Sequence, residues 1–159
     1  RHLDDASLVE ALIAFLPYAE GGSEMLTQLD AKRRSQLQKA MAGLKERAKT
    51  LVELKAGAAF LFAPRPLALD EKAKQIIADG GKNALRELVT VLEACADWSA
   101  PALEAAVKGH AEASGTKLGK LAQPLRAALT GTSTSPPIFD VLEVLGRGEA
   151  MARISDLLN

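Results

Sequence analysis

An all-α chain made of two small helical-bundle subdomains is the fold class this sequence predicts, and three observations carry it. Ala, Leu, Glu, Lys and Arg are abundant while aromatics make up only 4% of the residues, a composition weighted toward strong helix formers. Apolar residues recur at three- and four-residue spacing, with no alternating Val/Ile run of the strand type. Cap chemistry (Asp, Ser, Thr, Gly) stands where those periodic stretches begin and end.

The elements follow in chain order. Ser7 is expected to cap a first helix with Leu8, Leu12, Phe15 and Leu16 on its apolar side, ended by Pro17 and the Gly21-Gly22 pair. Asp30 caps a helix over 31–46 with Leu37, Met41 and Leu44 on one side. Thr50 opens a further stretch to Phe62 that carries Leu51, Leu54, Ala58, Leu61 and Phe62. Gly57 within it marks either a break or the close approach of another helix. Pro64 and Pro66 cannot continue a helix, and each biases its predecessor toward extended geometry. The boundary is therefore placed there, with a first subdomain over 1–66 and a second over 67–159.

Beyond the boundary, Asp70 caps a short helix interrupted at Gly80-Gly81, and residues 83–95 form a helix striped by Leu85, Leu88, Val89 and Leu92. Ser99 caps the next, with Pro101 tolerated in its first turn and Gly115 closing it. A helix over 117–130 follows, with a kink expected at Pro124 and a left-handed cap at Gly131. Ser135 is expected to cap another helix with Pro136 and Pro137 in its first turn, and a last helix spans 148–158.

Composition bounds function. In 159 residues, 48% hydrophobic content supports packed cores, and the formal net charge of zero means that any nucleic-acid footprint must be local. Cys95 stands alone, so no internal disulfide forms and a reduced, cytoplasmic protein is the expectation. No apolar run reaches the roughly 18 residues of a membrane span, and no signal peptide is visible. The start at Arg1, without Met, predicts a fragment of a longer protein.

Catalytic chemistry has no foothold. His2 and His110 lack motif context, and no HxxE pair, nucleophile elbow, Walker loop or dinucleotide fingerprint occurs. Gly80-Gly81 reads as a helix break and not as a phosphate cradle. No catalytic residue and no metal ligand is therefore assigned. Phe15, Phe60 and Phe62 fit core positions, Trp98 a packing anchor, Cys95 a buried small apolar site and His110 polar surface.

Charge is more informative. Lys32, Arg33, Arg34, Lys39, Lys45, Arg47 and Lys49 face the single anion Glu46 in their stretch, and Lys108, Lys117, Lys120 and Arg126 face only Glu112, leaving the remainder of the chain acidic. Two such patches fit a bounded RNA footprint, in which Lys45, Lys117 and Lys120 support the contacts. They equally fit the solvated outer faces of helices. The loop Thr130-Gly-Thr-Ser-Thr-Ser-Pro-Pro137 has the same two readings. Its hydroxyls, N–H groups and following helix N-terminus can grip a splayed base or a phosphate, with Ile138 and Phe139 as apolar walls. It also suffices as a capped helix start. Arg47 and Arg126 offer planar forks for a base edge or phosphate, against which stands a surface ion pair of Arg47 with Glu46 or Glu53 worth under about 1 kcal/mol.

The wording of these stretches is specific. KLGK at 117–120, AQPLRAALTG at 122–131, SPPIF at 135–139, VLEVLG at 141–146 and ERAKTLVEL at 46–54 resemble the C-terminal anticodon-binding region of bacterial glutamyl-tRNA synthetases. The likeness runs over essentially the whole chain. It implies two helical domains that clasp the anticodon loop of the tRNA for glutamate. By it, Arg47 lies near the first anticodon base, where it helps some members separate glutamate from glutamine tRNAs. Arg126, Ser135, Pro136 and Ile138 fall on further anticodon-binding positions. Lys108 stands where some members have Arg, and a lysine cannot make the same two-pronged contact. The resemblance also implies the family's reaction, attachment of glutamate to its tRNA through an adenylate with ATP and magnesium. That chemistry belongs to a catalytic half absent from this chain, which alone should be inactive and carry no cofactor. A monomer with no DNA or membrane partner is expected. The competing reading is a helical protein–protein interaction domain with no RNA role.

Overall fold

A computed structural model describes residues 4–133 and 135–158 of the chain. His2 and Thr134 lie outside the described residues. Those described form helices and loops with no strand, so the fold is all-α. The chain divides into two compact units, Arg1–Ala63 and Pro64–Asn159.

The first unit holds α1 (Asp5–Phe15), α2 (Gly22–Thr27), α3 (Ala31–Arg47) and α4 (Leu51–Ala58), with 3-10 turns at Leu16–Tyr18 and Ala59–Phe62. Asp4, not Ser7, caps α1: its carboxylate accepts the Ser7 N–H at 2.7 Å. An Asp three residues ahead of that amide is an ideal acceptor, so the helix starts earlier than Ser7 suggests. Asp30 caps α3 through the Arg33 N–H at 2.8 Å. Thr50 and Glu53 close a reciprocal capping box on α4.

The core of this unit is Val9, Leu12 and Leu16 against Leu37, Met41 and Leu44, with Leu54, Ala58, Phe60, Leu61 and Phe62 from the C-terminal side. Phe15, expected inside, is only half-buried because Leu12 and Leu16 hold the inward stripe. Gly57 is a close approach and not a break: α4 runs through it, and a Cβ there would stand 3.0 Å from Leu44 Cδ2 on α3.

The second unit holds α5 (Glu71–Ile76), α6 (Lys82–Glu93), α7 (Ala100–Ser114), α8 (Leu118–Thr130), α9 (Ile138–Leu145) and α10 (Arg147–Leu158). Asp70 and Ser99 cap α5 and α7 as expected. A widened turn at Ile77–Gly81, with Gly80 left-handed at φ 88°, joins α5 to α6. Helix α8 is central, packing against α5, α6, α7, α9 and α10. That position explains why Leu121, Pro124, Leu125, Ala127, Ala128 and Leu129 are all buried. The helix is assigned without interruption through Pro124.

Two local expectations fail in this unit. Ser135 does not cap the next helix: α9 starts at Ile138, with Pro137 extended at φ −51°, ψ 133° as its cap residue. Each proline pushes the residue before it out of helical geometry, so Ser135 and Pro136 cannot belong to the first turn. Cys95 is half-buried instead of enclosed, its thiol 3.6 Å from the Val91 carbonyl just past the end of α6.

Candidate functional site

The basic side chains of α3 sort into three sets once the helix is folded. Arg34 pairs with Glu10, and Lys45 with Asp5 at 2.8 Å, both acids lying on α1. Arg33 donates through Nε to the Leu61 carbonyl at 3.2 Å and through Nη1 to the Gln28 carbonyl at 3.3 Å, and its guanidinium lies 5.9 Å from the Phe62 ring centre. These three serve the unit itself. Lys32 and Lys39 are exposed on the side of α3 away from Leu37, Met41 and Leu44, and Arg47 is exposed in its last turn, three residues after Leu44. Glu53, the sequence alternative for pairing Arg47, accepts the Lys49 and Thr50 backbone N–H groups at 2.6 and 3.2 Å in the capping box.

In the second unit the C-terminal turn of α8 and the loop after it are organised around Arg126. This side chain is half-buried, and its Nε donates to Ser135 Oγ at 2.9 Å. Ser135 Oγ donates in turn to the Pro136 carbonyl at 2.7 Å. Thr130 Oγ1 donates to the Arg126 carbonyl at 2.8 Å, shares a 3.0 Å hydrogen bond with Thr132 Oγ1 and accepts the Thr132 N–H at 3.3 Å. Much of the loop's hydroxyl chemistry is thus spent on holding the loop's own shape.

Gly131 makes that shape possible. It caps α8 at φ 77°, and a Cβ there would overlap the Ala68 carbonyl. Its carbonyl accepts the Asp70 N–H at 2.9 Å. Pro136 and Ile138 are buried, Ile138 being only 4% exposed, so they form the floor of the junction.

The other expected positions are more scattered. Lys108 is exposed on α7 and pairs with Glu104 one turn earlier at 2.9 Å. Lys117 and Lys120 are exposed at the start of α8. Lys120 borders a cleft of about 480 Å³ together with Lys72, Gln75, Asp79 and Gln123. Arg126, Ser135 and Pro136 are brought into direct succession, whereas Arg47 and Lys45 belong to the first unit.

Trp98 and His110 have structural partners. Trp98 Nε1 donates to the Leu142 carbonyl at 2.7 Å, and the Arg147 guanidinium sits 4.7 Å from the centre of its ring. Arg147 also donates to the Leu92 carbonyl at 3.3 Å and to the Cys95 carbonyl, closing the C-terminus of α6. His110, expected as polar surface, is half-buried and lies 2.9 Å from Glu87 Oε1. Among the described residues no group of three His, Cys, Asp or Glu is placed to hold a metal ion. No helix among them is long and apolar enough to cross a membrane.

Sequence reasoning missed Arg153 and Glu149. Arg153 is buried on α10, donating from Nε to Glu149 at 2.7 Å and from Nη1 to the Leu129 carbonyl at 2.6 Å. The signal was present: Arg153 interrupts the apolar stripe of Ala150 and Ile154, with an acid four residues before it.

Comparison with known proteins identifies the family. The family model of the anticodon binding domain matches residues 7–158. Glutamate–tRNA ligase 2 of Brucella ovis is 60% identical over 156 residues, covering 98% of this chain and 33% of that protein. Glutamate–tRNA ligase 1 of Brucella melitensis biotype 1 matches to the same extent. The chain therefore spans about a third of the length of these curated relatives. Among solved structures, a glutamate tRNA ligase from Elizabethkingia meningosepticum in complex with its amino acid shares the fold at a TM-score of 0.71, with 24% identity over 98% of this chain and 30% of that one. The glutamate-tRNA synthetase of Elizabethkingia anophelis does so at 0.72, with 23% identity over 98% of this chain and 28% of that one. Matched over nearly its whole length, this all-α chain belongs to the anticodon-binding domain family.

Proposed function

We propose that this chain recognises the anticodon loop of the tRNA for glutamate, as the C-terminal part of a glutamate–tRNA ligase. The parent enzyme is a class I aminoacyl-tRNA synthetase that attaches glutamate to its tRNA. ATP and magnesium act in its catalytic part, and no step of that chemistry runs through the residues described here. The setting is cytoplasmic protein synthesis, with the protein acting as a monomer and binding neither DNA nor membrane.

The observation that carries the reading is the Arg126–Ser135 hydrogen bond at 2.9 Å, inside a chain that matches the anticodon-binding family from 7 to 158. It fixes a guanidinium beside a loop whose backbone and following helix start suit an unstacked nucleotide. Arg47 contributes a second fork, Lys108 a point charge, and Lys45, Lys117 and Lys120 long-range attraction. Pro136 and Ile138 act from beneath by giving the junction a rigid apolar floor. The exposed large apolar side chains among the described residues are Tyr18 and Val52, both in the first unit, which is little for a protein-docking groove.

A gel-shift titration against glutamate tRNA and an anticodon-substituted copy tests this. Arg47→Ala and Arg126→Ala should each weaken binding to the cognate tRNA by about 1–3 kcal/mol and narrow the gap between the two RNAs. Unchanged affinity in both variants would reject the roles given to these arginines.

A further inference from the structure

Among the described residues one charged side chain is buried: Arg153, at 3% exposure. A guanidinium is costly to take out of water, and a Leu or Met would continue the Ala150–Ile154 stripe of α10 equally well. Its hydrogen bonds are therefore the reason to look at it. Glu149 accepts from Nε at 2.7 Å and supplies the countercharge. Nη1 donates at 2.6 Å to the Leu129 carbonyl, 24 residues away in sequence. Leu129 is in the last turn of α8, where carbonyls have no partner within the helix and the helix dipole favours a cation.

That carbonyl sits at a crowded point. The Arg126 carbonyl is taken by Thr130 Oγ1, the Ala127 carbonyl by the Gly131 N–H, and the Gly131 carbonyl by the Asp70 N–H. Arg153 adds a tie from α10. Immediately beyond begins the loop that leads to Ser135, held by Arg126.

We propose that Arg153 is a positioning residue for RNA recognition. Its grip on the Leu129 carbonyl fixes the last turn of α8 and the loop to Ser135 in the geometry that presents Arg126 to a nucleotide. This inference rests on the anticodon-binding reading above. Arg153 itself does not touch RNA, so its removal should blur discrimination without changing how binding depends on salt, because no phosphate contact is lost.

The experiment uses the 159-residue chain with Arg153→Met, Arg153→Lys and Glu149→Gln. Two quantities are read: the affinity ratio between glutamate tRNA and an anticodon-substituted copy, and amide hydrogen exchange over 130–135 in the free protein. A folded Met variant should lose about tenfold of the ratio, keep the wild-type salt slope and exchange faster in the loop than in α6 or α7. The Lys variant should recover part of both effects. A folded Met variant with unaltered ratio and loop exchange overturns the proposal, as does a salt slope that falls with the ratio. If the Met variant does not fold, the Lys and Gln variants decide: faster loop exchange in both supports positioning, and wild-type exchange in both overturns it. Absence of any discrimination by the wild-type chain would instead sink the anticodon reading, while the exchange arm still judges Arg153.

Discussion

At Gly131 two independent demands fall on one residue. Its φ of 77° lies in the left-handed region, and the space a Cβ would need is filled by the Ala68 carbonyl. The left-handed backbone alone costs an L-residue roughly 1–2 kcal/mol, and the overlap adds to that because backbone cannot swing aside. Gly131→Ala should therefore lower the urea midpoint by more than the 1–2 kcal/mol equivalent, read by circular dichroism; a wild-type midpoint would refute the close approach. Asp4 offers a gentler case. The Ser7 backbone hydrogen bond, then the Ser7 side chain, lowers its carboxyl below the ordinary aspartate value. A group whose folded-state value is depressed stabilises the fold above its unfolded value and loses that contribution as pH falls through the folded one. The Ser7 amide resonance should consequently titrate with a midpoint below that of an unperturbed Asp, and a midpoint at the ordinary value would contradict the cap.

Among the helices, those marked by a cap or by a clear apolar stripe were legible, and the exceptions were short or began at unusual turns. Asp30, Asp70, Ser99, Gly115 and Gly131 are read from the residues and stand in the structure as caps. Helix α2 is only six residues long and begins at left-handed Gly21, so it carries too little periodicity to be seen in advance. Helix α9 misled because Ser–Pro–Pro looks like a capped start, whereas consecutive prolines hold each preceding residue extended and delay the helix to Ile138. Helix α4 shows what a complete cap contributes. Thr50 Oγ1 accepts the Glu53 N–H at 3.1 Å while Glu53 returns a bond to the Thr50 N–H. Thr50→Ala should cost about 1 kcal/mol, seen as a lower melting temperature. The matching Glu53→Ala change should cost less when made in the Thr50→Ala background, since the two bonds form one device.

On the scale of the molecule, a chain with no net charge must bind a polyanion through local excess. Folding decides which cations remain for that task. Arg34 and Lys45 are answered by Glu10 and Asp5, and Lys108 by Glu104, while Lys32 and Lys39 lie exposed on the side of α3 away from its buried stripe. Binding to glutamate tRNA should weaken as salt rises, with each single-stranded phosphate contact adding about 0.7 to the logarithmic slope. Arg47→Ala should reduce that slope by roughly one contact, whereas Lys45→Ala, which frees Asp5 as it removes a cation already paired, should leave the count of RNA contacts unchanged. Equal slopes for wild type and Arg47→Ala would show that Arg47 contacts no phosphate, leaving it at most a base contact.

The residues by themselves determined the fold class, most helix boundaries and the two basic stretches, because propensity, capping and periodicity are local properties of a chain. The phrases around Arg47 and Arg126 also carried the family likeness. What they could not contain is pairing between distant segments. Only the folded units separate the cations neutralised by acids of α1 from those left on the outer face of α3, and only they turn Arg153 inward onto the Leu129 carbonyl. Whether a charged side chain serves the fold or a partner depends on which groups lie within about 3 Å of it, and packing alone settles that distance.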